Sequence, residues 1–191
     1  MSDKELIEIR WHGRGGQGAV TSAELLARAA ISEGKYAQAF PSFGAERRGA
    51  PVVAFNRISG DHPIRNRAGI TQPDVSVVLD STLLRVVKVT DGLKEGGTLI
   101  INTKRPMAEL KAEFRGRWRL AVVDATTIAR ETLKVPIVNT TMLGALILAA
   151  GVVKPESLFG PLQDRFGRLG ERNIEAMKRA YAETKIEGLN G

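Results

Sequence analysis

The sequence predicts a three-layer α/β domain whose mostly parallel sheet carries an antiparallel insertion near residues 51 to 67. Three observations lead there. Strand-like apolar runs alternate with helix-like runs along the chain, the rhythm of strand–helix–strand units. The first strand runs directly into a glycine-rich turn and then a helix. Between Pro51 and Arg67 the rhythm breaks into two extended runs about Ser59-Gly60-Asp61, the pattern of a hairpin.

Leu6 to Trp11 reads as a short, partly alternating strand, and Gly13 to Gly18 as the turn after it. Ala19 to Ser32 places Leu25, Leu26 and Ala29 at helical spacing, with Gly34 as its stop. Tyr36 to Phe40 is the second strand, completing a unit expected to be parallel. Pro41 to Gly49 is a loop, Pro51 to Ile58 a strand, and His62 to Arg67 its hairpin partner. Val75 to Leu79 is a buried strand ending at Asp80; a helix over Thr82 to Leu93, a turn at Gly96-Gly97 and a strand over Thr98 to Ile101 make a second unit. Leu120 to Asp124 is a further strand, entering a helix capped near Thr126. Helices over about Thr140 to Ala150, Pro155 to Phe166 and Glu171 to Lys185 follow, with Pro155 suited to a first helical turn. Strand order is not encoded in this pattern.

Length and composition narrow the function. A chain of 191 residues is expected to be one domain, residues 1–191, with a sizeable core. It has no cysteine, which excludes disulfides, thiolate-held iron–sulfur clusters, cysteine zinc sites and a catalytic thiol. Two histidines, His12 and His62, are too few for a His-rich metal site. Met1 to Glu8 has no apolar leader core. The longest apolar run, Met142 to Val153, is interrupted by Gly144 and Gly151 and is shorter than the ~20 residues of a membrane span. It reads as a buried helix, and the expected location is the cytoplasm. The net charge of +7 comes mostly from arginine, 18 against 10 lysines. Such a balance raises a nucleic-acid reading. An aromatic fraction of 5% and the lack of a long basic run argue against it. Arginine equally suits an anionic cofactor or a partner's carboxylates.

Gly13-Arg14-Gly15-Gly16-Gln17-Gly18 matches G-x-G-x-x-G in the strand-to-helix context that the motif needs, which makes the domain Rossmann-like. Glycine permits positive φ and close backbone approach, and the helix start offers free N–H groups to an anion. The competing reading is a tight turn that binds nothing. A dinucleotide site would also require an acid ending the second strand. Tyr36 to Phe40 has none, although Arg47 and Arg48 beyond it keep a 2′-phosphate, and so NADP, open. The loop Pro41 to Pro51 carries Phe43, Glu46, Arg47 and Arg48 between glycines and prolines that fix its shape. It is either solvated surface or a docking or ligand-facing loop on the sheet's carboxyl edge. His12 either closes the turn or touches a ligand. Asp80 with Ser81 and Thr82, Asp124 with Thr126 and Thr127, and Asn139 with Thr140 and Thr141 each cap a helix or line a cleft. Arg115, Arg117 and Arg119 read as a solvated edge around Trp118, a candidate partner contact.

Taken together, Trp11 to Ala19 and Phe43 to Val52 resemble the gamma subunit of pyruvate and other 2-oxoacid:ferredoxin (acceptor) oxidoreductases. The resemblance continues through Pro73-Asp74-Val75, Glu95 to Thr98, Val123-Asp124-Ala125 and Asn139 to Ala145, covering nearly the whole chain in order. It implies a single gamma-type domain in a heterotetramer with alpha, beta and delta subunits. It implies oxidative decarboxylation of a 2-oxoacid to an acyl-CoA, with electrons passed to ferredoxin. Thiamine diphosphate, magnesium and [4Fe-4S] clusters then belong to partner subunits, and this chain binds no cofactor tightly. Gly13, Arg14, Gly15, Gly16, Gln17, Gly18 and Asn139 are the expected contacts of a shared coenzyme A, and Phe43, Glu46, Arg47 and Arg48 the docking or ligand-facing loop. No residue is expected to be catalytic or to bind metal, and no nucleic acid or membrane is expected as a partner. The wording of Phe43 to Val52 favours the pyruvate and branched-chain group among the oxoacids that the family handles. A stand-alone NAD(P) oxidoreductase and a basic nucleic-acid-binding module are the alternatives.

Overall fold

The computed structural model describes residues 6–42, 48–115 and 117–188. Their strands join one seven-stranded sheet with the order β2-β3-β1-β4-β5-β6-β7. β1 (Ile7–Arg14), β4 (Val75–Val78), β5 (Thr98–Asn102) and β6 (Arg119–Val123) are mutually parallel neighbours. These strands bury both faces: Val77 and Ile100 point into one core layer, Val78, Leu99 and Ile101 into the other. That is why they read as unbroken apolar runs rather than as alternation.

One layer is thick, built from α1 (Ala19–Ser32), α3 (Ala125–Leu133), α4 (Asn139–Ala150), α5 (Phe159–Phe166) and α6 (Gly170–Glu183). The other holds little more than Leu83, Val89, Leu93 and α2 (Met107–Phe114), whose Leu110 is fully buried. α4 and α6 cross very closely. A Cβ at Gly144 would lie 2.0 Å from the Met177 carbonyl oxygen, so only glycine fits there.

The antiparallel insertion is present, but it is built differently from the hairpin expected. β3 (Pro51–Ser59) pairs antiparallel with β2 (Tyr36–Pro41) on one side and with β1 on the other. β1, α1 and β2 therefore form a split unit, with β3 between the two parallel strands. Buried Asn56 fastens it: Trp11 Nε1 donates to its Oδ1 (2.8 Å), and its Nδ2 donates to the carbonyls of Ala23 and Gln38. With both edges of β3 occupied, residues 62–67 form no strand. Several of the backbone groups here are met by side chains instead. Arg57, 1% exposed, donates to the carbonyls of Asn66 and Ala68 and to Glu8 Oε1, and Gln38 donates to the Ile64 carbonyl.

Two further expectations are corrected. The helix over Thr82 to Leu93 is only a 3-10 turn, Ser81–Arg85, followed by turns. Val86, Val87, Val89 and Thr90 are β-branched and crowd a helix. The Val89 carbonyl is taken by Ser76 and Arg10, and Gly92 has φ +69° against the Thr71 carbonyl. The last helix stops at Glu183, and Lys185–Glu187 forms β7, antiparallel to β6. Neither β7 nor α2 is anticipated from the sequence pattern.

Candidate functional site: the carboxyl edge of the sheet

β1 leads into α1 over the thick layer, whereas β4 leads into the 3-10 turn over the thin one. Connections that leave neighbouring parallel strands for opposite faces open a crevice at their carboxyl ends, where ligands bind in such sheets. A crevice of about 450 Å³ lies there, lined by Gly16, Gln17, Asp80, Asn102, Lys104 and Asp124 among others.

The glycine segment is shorter as a turn than the motif implies. Gly13 and Arg14 still belong to β1, paired with Val52 and Pro51, and Gly15 bridges to Arg48. Gly16 and Gly18, at φ +90° and +80°, make the reversal. Gly18 then serves as the N-cap of α1, with no side-chain cap. Arg14 is committed within the fold. Its Nε donates to Asp80 Oδ2 (3.1 Å), Nη1 to the Gly49 carbonyl (3.0 Å) and Nη2 to Thr82 Oγ1 (2.9 Å). Gln17 closes the same knot: its Oε1 accepts from the Arg14 amide and its Nε2 donates to Asp80 Oδ2. Burial works against the Asp80 charge. Hydrogen bonds from Thr82 and Gln17 and the charge of Arg14 outweigh it, holding this carboxyl below the usual carboxylate range.

Asp80 and Asp124 fulfil both roles open to them, capping the following turn or helix through Thr82 N and Thr127 N while lining the crevice. Lys104 stands 3.6 Å from Asp124. Asn102, absent from the sequence expectations, is the hub between them: its Nδ2 donates to the Leu79 carbonyl and Thr126 Oγ1, and its Oδ1 accepts from Thr126 N. A polar residue at the carboxyl end of a buried parallel strand is the signal that would have found it, as it found Asp80 and Asp124.

His12 is neither a turn residue nor placed at the crevice. It lies inside β1, 4% exposed, accepting from Arg10 Nε at 3.0 Å. Burial first, then the Arg10 charge, push its pKa down to about 4, so it is neutral at pH 7. Asn139, the first residue of α4, lines a different space, a cavity of about 300 Å³ on the α5–α6 side of Gly16 and Gly18. Gly18 lies against it, since a Cβ there would come within 2.7 Å of Asn139 Nδ2. Arg48 is exposed, whereas Phe43, Glu46 and Arg47 lie outside the described residues. Arg119 belongs to β6 and donates to the Ala149 carbonyl; Trp118 packs on Phe114 and donates to the Leu93 carbonyl. Among the described residues no group of three His, Asp or Glu side chains is placed to hold a metal ion, and no helix is long and apolar enough to cross a membrane.

Comparison with known proteins fits this arrangement. Residues 8–183 match the family model described as pyruvate ferredoxin/flavodoxin oxidoreductase. The chain belongs to that family. The chain is 55% identical to the pyruvate/ketoisovalerate oxidoreductases common subunit gamma of Pyrococcus abyssi over 183 residues, 95% of this chain and 98% of that protein. It is 50% identical to pyruvate synthase subunit PorC of Methanothermobacter marburgensis over 184 residues, 96% of this chain and all of that protein. The crystal structure of pyruvate oxidoreductase subunit PORC from Thermotoga maritima superposes with a TM-score of 0.84 at 41% identity, covering 96% of this chain and 99% of that one. Within the family this chain is a gamma subunit, one part of a multisubunit 2-oxoacid:ferredoxin oxidoreductase. Neither alternative, the stand-alone NAD(P) enzyme or the nucleic-acid-binding module, has support from these relatives. The split unit adds a physical reason against the first: β3 separates β2 from β1, so the end of β2 does not adjoin the glycine turn as a dinucleotide site requires.

Proposed function

We propose that this gamma subunit works in a complex that oxidatively decarboxylates pyruvate to an acyl-CoA and passes the electrons to ferredoxin. Its own part is to dock the other subunits and to seat coenzyme A. The observation that carries this reading is the carboxyl-edge crevice. It has a rigid glycine reversal, a helix N-terminus and polar strand ends, but its charged side chains are already paired with one another. Such a surface holds and orients. Decarboxylation and electron transfer are assigned to thiamine diphosphate, magnesium and [4Fe-4S] clusters on alpha, beta and delta subunits. The cysteine-free sequence accords with that division. Coenzyme A offers a pyrophosphate to the Gly15–Gly18 backbone, with Arg14 setting the turn's geometry through Asp80 rather than meeting phosphate itself. Docking is assigned to the exposed Arg48 and to Phe43, Glu46 and Arg47 just before it in the sequence. The cytoplasm is the location proposed for such a complex.

The test is Arg14→Ala in the enzyme assembled without oxygen. Loss of the Asp80 clasp loosens the turn, and the KM for coenzyme A rises about tenfold, worth about 1.4 kcal/mol, with kcat little changed. An unchanged KM overturns the placement of coenzyme A in this crevice. The same tagged preparation reports the partners: a thiamine-binding chain and a cysteine-rich chain recovered in fixed ratio are expected, and recovery of this chain alone contradicts the assembly.

A further inference from the structure

A second cavity, of about 300 Å³, lies beside the glycine reversal. Two helix N-termini converge on it. α1 begins at Gly18 and α4 at Val138, and neither has a side-chain cap or an acid in its first turn. Neither helix therefore offsets its own positive end with a first-turn acid. Between them sits Asn139. It is 6% exposed and lines the cavity, and its carboxamide has no hydrogen-bond partner among the described residues. Its polar atoms are not sealed off, and the residue lines the open space of the cavity. Arg165, at the end of α5, and Arg172, in the first turn of α6, also line the cavity, and neither forms an ion pair among the described residues. The remaining wall is apolar, from Leu133, Val135, Ile137, Phe166 and Leu169. Three of these are unusually exposed for their type: Val135 at 42%, Ile137 at 46% and Leu169 at 52%.

We propose that this cavity binds a small organic oxyanion, a carboxylate or phosphate group on an apolar body. The head lies at Asn139 between the N-termini of α1 and α4 and is paired by Arg165 and Arg172. The body covers Val135, Phe166 and Leu169. The space of about 300 Å³ suits a short-chain ligand and stands at the lower end of small-molecule sites, roughly 300–1,000 Å³. The inference goes beyond the coenzyme A reading: the crevice and the cavity share Gly16 and Ile137 in their walls, but Arg165, Arg172, Phe166 and Leu169 line the cavity alone.

Calorimetric titration of the full chain with hexanoate, hexyl phosphate, hexanol and inorganic phosphate tests it. At least one of the two amphiphilic anions binds, and hexanol and inorganic phosphate bind about tenfold or more weaker. The stronger of hexanoate and hexyl phosphate identifies the head group. Replacing both exposed arginines, Arg165→Ala with Arg172→Ala, weakens the anion about tenfold and leaves the KM for coenzyme A in the assembled enzyme unchanged. Silence from both amphiphiles, equal binding of hexanol, or an unaffected double variant overturns the proposal. A KM for coenzyme A that rises in the double variant overturns the independence of the two sites.

Discussion

Gly16 divides two spaces with opposite electrostatic character. On the crevice side every charge has an internal answer, Arg14 with Asp80 and Lys104 with Asp124, and the neutral Asn102 is held by hydrogen bonds to Leu79 and Thr126. On the cavity side Arg165, Arg172 and the Asn139 carboxamide have none among the described residues. The first arrangement is preorganised, because its polar groups are fixed before any ligand arrives and need no rearrangement to receive one. On the second side, Arg165, Arg172 and the Asn139 amide stay free of internal partners among the described residues, so an added anion finds them available. The two neighbouring spaces, about 450 and 300 Å³, thus differ in how far their polar groups are already paired.

The comparison can be broken most severely where the cavity's helices are held together. Gly144→Val forces a side chain into the space taken by the Met177 carbonyl and the Tyr181 amide. α4 and α6 must separate, at a cost of at least about 3 kcal/mol, read as a lowered denaturant midpoint. Since Asn139 and Arg172 ride on those two helices, the cavity is lost while the Arg14–Asp80 knot survives. An unchanged midpoint contradicts the close crossing.

Acid separates the regions next. Folded His12 has a pKa of about 4 against an ordinary 6.5. The unfolded chain therefore binds this proton first, and stability is complete above pH 6.5 and declines as the pH falls towards 4. Taken alone the shift corresponds to on the order of 3 kcal/mol. Asp80 and Asp124, both depressed, lose their contributions in the same direction at lower pH. His12→Gln flattens the dependence between pH 6.5 and 4, and an equally steep profile in that variant assigns the loss to other groups.

The finest test exchanges the two asparagines. Asn102→Leu strands Thr126 N and the Leu79 carbonyl and costs about 2–3 kcal/mol. Asn139→Leu removes an amide with no partner and changes stability by less than about 1 kcal/mol. Equal losses in the two variants erase the difference between Asn102 and Asn139.

The distribution of legible and illegible features has a physical basis. Ala19 to Ser32, Val75 to Leu79 and Thr98 to Ile101 were readable because burial imposes a local period on each, and the structure places them within a residue or so of expectation. Asp80 and Asp124 were readable as polar ends of buried strands. The misplaced hairpin partner and the overlong helix share a cause: distant side chains took over the backbone groups of those segments. Arg57 and Gln38 hold 64–68, and Arg10 and Ser76 hold the Val89 carbonyl. No local period reports such a claim. The cavity was hidden for a similar reason. Asn139 was visible as a helix start, but Arg165 and Arg172 join it only because α4, α5 and α6 fold back over the N-terminus of α1.

The place of β3 bears on how the chain is made. A ribosome that has delivered residues up to Pro41 has produced a helix and two strands that share no hydrogen bond, about 10 Å apart in the finished sheet. Both ladders stay open until Pro51–Ser59 emerges, about one to four seconds later at ordinary synthesis rates. For that interval the nascent chain offers unpaired strand edges to its neighbours. The brevity of the segment from Ser42 to Ala50 keeps the exposure short.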